Sequence, residues 1–146
     1  MTLSLVLVLL VAHFTGDFLC QSDWMALNKS KRLDALFFHV WVYMGVLAFF
    51  VAAAHGWQRG SVPNIVTWLA VNMTAHFVQD AITSRITSRL WFIELGDARS
   101  SNRKTLAVHQ CGSIDYRKRH WFFVAIGADQ LLHTAVLMVT AQWWLR

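Results

Sequence analysis

NMTAHFVQDAITS, Asn72 to Ser84, carries four polar side chains at a constant interval of four: Asn72, His76, Asp80 and Ser84. On an α-helix that interval keeps all four on one face. The stretch reads as a membrane-spanning helix, where an aspartate at mid-span costs roughly 2.5–3.5 kcal/mol on insertion scales. Such a stripe persists only if something pairs with it. Two further apolar segments carry the same device, His13 with Asp17 in HFTGD and Asp129 with His133 in DQLLH, each pair four residues apart. A fourth apolar segment contributes His39.

The composition supports a bilayer setting. Of 146 residues, 56% are hydrophobic and 14% charged, against about 25% charged in soluble domains. Mean hydropathy is +0.41. One integral membrane domain, residues 1–146, is predicted. Eight Trp and a single Pro suit long helices with aromatic residues at the interfaces. Cys20 and Cys111 are too few for a disulfide framework or a thiolate metal site. The net charge of +5 raises nucleic acid as a partner, yet the basic residues gather in two loops where topology accounts for them. No nucleic-acid partner is expected.

Working outward, the pattern predicts an all-α, integral membrane four-helix bundle with spans at about 2–20, 35–55, 64–84 and 121–145. The first apolar run has no basic residues before it and no small-residue cleavage site after it, so it reads as a retained span. A short interfacial helix opens at Ser22 or Asp23 after span one. Span three continues as a cytoplasmic extension with Ile82, Ile86, Leu90 and Ile93 on one face, and Gly96 is its expected stop. Residues 97–120 read as a polar, basic loop, a surface for a cytoplasmic partner. Every Lys and Arg except Arg59 and Arg146 falls after span one or span three. The positive-inside rule then places both termini outside and both long loops in the cytoplasm. Trp24, Trp91 and Trp121 fall at the inner interface on this scheme, and Trp57, Trp68, Trp143 and Trp144 at the outer one.

Depth sharpens the His/Asp pattern. Counted from the cytoplasmic ends at ~1.5 Å per residue, Asp17, His39 and Asp80 lie roughly 5–6 Å in, His13, His76 and Asp129 roughly 10–12 Å, and His133 roughly 18 Å. A bundle with these faces turned inward gathers four imidazoles and three carboxylates. Neutral imidazole and carboxylate are ligands of Zn²⁺, Mn²⁺ or Fe, and helix bundles build such sites from facing i, i+4 pairs. The expected metal set is His13, Asp17, His39, His76, Asp80, Asp129 and His133, holding one or two divalent ions, foremost Zn. One of Asp17, Asp80 and Asp129 serves as general base. Gln21, Asn72, Ser84, Arg85, Arg89 and Gln130 are expected around it, as hydrogen-bond partners of the ligands or of substrate. The plainer alternative is a buried His/Asp network that fixes helix packing. A proton or metal relay in transport or sensing is another.

The segments HFTGDFLCQSDWMALNKSK, ALFFHVWVY, HFVQDAITSRITSRLW and FFVAIGADQLLH resemble a family of small bacterial and phage membrane proteins catalogued as a domain of unknown function. The likeness covers nearly the whole chain. It implies recurring positions at His13, Asp17, Gln21, His39, His76, Asp80, Ser84, Arg85, Asp129, Gln130 and His133. A looser similarity is to membrane-bound metal-dependent hydrolases, multi-span proteins rich in intramembrane His and Asp. Together these point to a hydrolase acting on a lipid or polyprenyl-type amphiphile. A homo-oligomer, a phage or bacterial membrane interaction protein and a transporter are the other readings.

Overall fold

A computed structural model describes the backbone of residues 2–55, 62–100 and 116–144, and side chains at 2–54, 62–90 and 120–143. The described residues contain helices and no strand. Helix α1 spans Leu3–Phe14, α2 Asp23–Asn28, α3 Leu33–His55, α4 Val62–Ser100 and α5 Tyr116–Trp144. Between α1 and α2 a single π-helical turn covers Thr15–Leu19.

Local chemistry sets the helix starts. The Thr2 hydroxyl accepts from the Leu5 amide, and Ser22 Oγ accepts from the Met25 amide at 3.3 Å, each an N-cap. Asp34 Oδ1 accepts from the Ala35 amide at 2.9 Å in the first turn of α3, where an acidic side chain complements the helix dipole. Pro63 occupies the first turn of α4, where its missing N–H is no loss.

Four helices pack in a ring: α1 against α3, α3 against α4, α4 against α5, and α5 back against α1. The short α2 lies on α3. Each long helix turns one stripe inward, and each stripe changes from apolar to polar toward the same end of the ring. In α1 it runs Leu5, Leu9, Ala12 and then His13; in α3, Val51, Leu47, Val40 and then His39. In α4 it runs Ile65, Trp68, then Asn72, His76, Asp80 and Ser84; in α5, Ala141, Leu137 and then His133. The antiparallel alternation of chain direction makes these sequences converge. The apolar end is the core, and the polar end is the site.

Among the described residues, two helices are long and apolar enough to cross a membrane, Leu33–Ala54 and His120–Trp143, while Leu3–Leu19 is a shorter apolar run. Helix α4 lacks the required uninterrupted stretch because Asn72, His76 and Asp80 fall where it would run. The outward faces are apolar: Phe37, Trp41, Phe49, Phe123, Leu131 and Trp143 are all exposed.

Three expectations change. Helix α4 does not stop at Gly96 but continues to Ser100, because one glycine costs only about 1 kcal/mol inside a helix. The expected loop at 97–120 is helical at both its ends, and its middle, residues 101–115, lies outside the described residues. Trp68 is not interfacial. Its side chain is fully buried, and its indole Nε1 donates to Thr140 Oγ1 at 3.0 Å. With that bond made inside the protein, the ring has no need of an interface. Trp57 also lies outside the described residues, as do the side chains of Trp91 and Trp144.

Candidate metal centre

The π turn delivers the first carboxylate. The Cys20 amide donates to the Thr15 carbonyl at 2.9 Å, five residues back, so the turn is wider than an α turn and reorients what it carries. It buries Gly16 and Asp17 together. A Cβ on Gly16 would lie 2.9 Å from Tyr43 Cδ2 and 3.3 Å from Tyr43 Cα. Only glycine lets α1 come this close to α3.

Four donor atoms from two helices, α3 and α4, and the π turn then meet. His39 Nε2 is 3.0 Å from Asp17 Oδ1 and 3.1 Å from Asp80 Oδ2. His76 Nε2 is 3.3 Å from His39 Nε2 and 3.8 Å from each of the same two oxygens. For bonds of about 2.0–2.1 Å from imidazole and carboxylate to zinc, the edge of a tetrahedron is roughly 3.3 Å. The five separations straddle that length. All four side chains are at most 5% exposed. Despite its neighbours, Asp17 Oδ1 has no hydrogen-bond partner, while His39 Nε2 and His76 Nε2 are within hydrogen-bond reach of each other. A buried acceptor left so is costly unless a cation faces it.

Around this group the remaining partners fall into order. Gln130 Nε2 donates to Asp17 Oδ2 at 2.7 Å and to Asp129 Oδ2 at 3.3 Å. Its Oε1 is therefore the acceptor for His13 Nε2, 3.0 Å away. A neutral His13 then accepts through Nδ1 from the Tyr43 hydroxyl at 3.1 Å, an assignment fixed by the network. Both nitrogens of His13 are engaged, and His13 stands outside the two groups of converging donor atoms. Gln130 in turn holds Asp17 with its free oxygen toward the donor group, as outer hydrogen bonds do at metal sites. The Tyr43 ring stacks flat on His76, centroids 3.9 Å apart.

A second grouping adjoins the first. Asp80, Asp129 and His133 each offer a donor atom within 4.8 Å of the other two. His133 Nδ1 lies 3.0 Å from the Asp129 carbonyl. Donation there puts the proton on Nδ1 and leaves Nε2 with its lone pair. His133 Nε2 is 3.7 Å from Asp80 Oδ1 and has no hydrogen-bond partner. A cavity of about 10 Å³, bounded by Tyr43, Asn72, His76, Gln79, His133 and Val136, is the size of one water site.

The expected surrounding residues divide. Gln21, with its amide nitrogen donating to the Asp17 carbonyl at 3.0 Å, accepts from Lys29 Nζ at 3.3 Å. Ser84 is buried one turn below Asp80 with an unpartnered hydroxyl. Asn72 borders the cavity but bonds upward, to the Trp68 carbonyl and Thr140. Arg85 and Arg89 are exposed, and Arg85 donates to the Ala81 carbonyl of its own helix, so neither joins the donor group. His120 is exposed as expected, and His109 lies outside the described residues.

Sequence reasoning missed two residues. Tyr43 follows His39 by one helical turn, so its place on the same face was visible in the spacing. Lys29 gave no such signal. Its Nζ reaches Asp80 Oδ2 at 3.1 Å, with the side chain only 17% exposed. A loop lysine folds back into the site because α2 lies on α3.

This geometry can be set beside known proteins. A family model described as a protein of unknown function (DUF3307) matches residues 5–146. The chain belongs to that family. Every donor named above falls within the matched span. No curated protein and no solved structure matches.

Proposed function

We propose that this member of the family is a metal-dependent hydrolase of the bacterial inner membrane, acting on a lipid or polyprenyl-type amphiphile. The observation that carries the reading is the convergence of Asp17 Oδ1, His39 Nε2, His76 Nε2 and Asp80 Oδ2, with separations of 3.0–3.8 Å and an orphaned carboxylate oxygen among them. In this reading all four long helices cross the bilayer, with both termini outside and the polar end of the ring toward the cytoplasm. Helix α1 with the π turn is apolar but shorter, and α4 is less apolar alone because its polar face turns into the ring, where intramembrane ionisable groups belong.

His39, His76, Asp17 and Asp80 would hold a divalent ion, Zn foremost and Mn or Fe by the same donor chemistry, which would supply a water of lowered pKa and polarise a phosphoryl or acyl oxygen. The chain's own residues do the rest. Gln130 and His13 orient Asp17. Asp129, the carboxylate outside the four-donor group, takes the proton of the attacking water. Lys29, reaching in from the interfacial α2, meets the negative charge that develops on the substrate oxygen. Such a site, below the inner headgroups, receives an amphiphile sideways from the inner leaflet.

The test is elemental analysis of protein purified in detergent without chelator. At least one equivalent of transition metal per chain is expected, falling below one tenth in Asp17→Asn/Asp80→Asn. Wild-type protein with no stoichiometric metal would overturn the reading.

A further inference from the structure

We infer that the site is binuclear: Asp80 bridges two divalent ions, the second held by Asp80 Oδ1, Asp129 and His133 Nε2, and the pair is built for a phosphate group. This rests on the hydrolase reading and specifies its nuclearity and substrate class.

Three independent observations carry it. The first is that Asp80 faces both ways. Its Oδ2 sits 3.1 Å from His39 Nε2 in the four-donor group, while its Oδ1 is the oxygen nearest His133 Nε2, at 3.7 Å. One carboxylate with an oxygen directed to each centre is the usual bridge in sites whose ions lie about 3.5–4 Å apart.

The second is the state of His133. Its Nδ1 lies 3.0 Å from the Asp129 carbonyl and 3.3 Å from Asp129 Oδ1. That fixes the tautomer, so Nε2 carries a lone pair. The side chain is 1% exposed, and Nε2 has no hydrogen-bond partner. A bare nitrogen lone pair, buried 3.7 Å from Asp80 Oδ1 in a side chain grouped with Asp80 and Asp129, asks for a cation. Asp129 Oδ1 is orphaned in the same way.

The third is the cavity of about 10 Å³, which touches His76 of the first group and His133 of the second. It has room for one water beside an imidazole from each group.

Charge then decides the substrate. Asp17, Asp80 and Asp129 contribute three negative charges and Lys29 one positive, with the imidazoles neutral as ligands. One divalent ion brings that set to neutrality, and two leave it with a double positive charge. In a medium of low dielectric such an excess needs an anion. A phosphate monoester carries the matching charge at neutral pH, whereas a carboxylic ester carries none. Asp129, which ligates through one oxygen, keeps the other for the proton.

The experiment loads purified protein with Mn²⁺ and reads stoichiometry and the paramagnetic spectrum together. Two equivalents are expected, with the exchange-broadened spectrum of a coupled pair. The Asp129→Asn/His133→Gln variant should bind one equivalent, half the wild-type content, and show the resolved hyperfine pattern of an isolated ion. Inorganic phosphate should perturb the wild-type spectrum, and acetate at equal concentration should not. One equivalent in wild type with an isolated-ion spectrum would overturn the bridge and leave the single-metal hydrolase standing. No bound metal at all would overturn both. A coupled pair indifferent to phosphate would overturn the substrate class. The wild-type spectrum decides even if the double variant does not fold.

Discussion

The α4–α5 interface holds two polar patches a few turns apart, and they differ in one respect. In the upper patch every group is matched. Thr140 Oγ1 accepts from Trp68 Nε1 at 3.0 Å and from Asn72 Nδ2 at 2.9 Å, and it donates to the Val136 carbonyl at 2.8 Å. Both lone pairs and the proton of that hydroxyl are used. In the lower patch Asp17 Oδ1, Asp129 Oδ1 and His133 Nε2 are buried and unmatched, although polar neighbours crowd them. The upper patch is a packing device, self-sufficient in hydrogen bonds. The lower one leaves buried acceptors unmatched and could hold a metal ion, and on the metal-site reading the two should respond oppositely to the same kind of substitution.

The sharpest way to break that contrast is Asp80→Asn. It should remove nearly all bound metal, since Asp80 contributes to both donor groups. Chelator should lower the melting temperature of wild-type protein and leave this variant unmoved. Ligand at a hundred times its dissociation constant stabilises by about 2.7 kcal/mol, and thermal unfolding with and without chelator reads the difference. Gln130→Leu should keep the metal but weaken it about 10–100-fold, the usual cost of losing an orienting partner, measured by competition with a metal indicator. Gly16→Val should cost about 1–3 kcal/mol through its clash with Tyr43. It should loosen metal as well, because the π turn cannot then hold Asp17 in place. Thr140→Val in the upper patch should cost only about 0.6–1.7 kcal/mol, the range for interhelical hydrogen bonds in membranes, with metal content unchanged. If Thr140→Val stripped metal, or Asp80→Asn left it in place, the two patches would not be different in kind.

The residue types of the site were legible because burial of His and Asp in an apolar segment leaves few explanations. His39, His76, Asp17 and Asp80 were all visible from spacing, as were the helices that carry them. What spacing could not supply was which ring nitrogen was free. His13 shares its helix face with Asp17 as plainly as His76 does with Asp80, yet Tyr43 and Gln130 engage both its nitrogens. Nor could depth be counted from chain ends. Trp121 as a starting point placed Asp129 about 7 Å deeper than Asp17, whereas Gln130 bonds to both. Helix α5 begins at Tyr116, although its apolar span begins at His120. Lys29 was hidden for a related reason. A cation in a polar loop reads as topology, and only the packing of α2 on α3 aims it at Asp80. Trp68 and Asn72 misled in the opposite direction, each looking like a boundary or site residue and each absorbed by Thr140.

The contact of Lys29 Nζ with Asp80 Oδ2 bears on the order of events in the cell. Three carboxylates brought together in a buried site would repel one another during assembly, and a tethered ammonium is a counter-ion the chain brings with it. Folding can therefore finish before any ion arrives. Loading would then be a sharing of Asp80, with the ammonium kept beside the carboxylate. Maturation would depend on the supply of metal to the folded protein, not on the moment of folding.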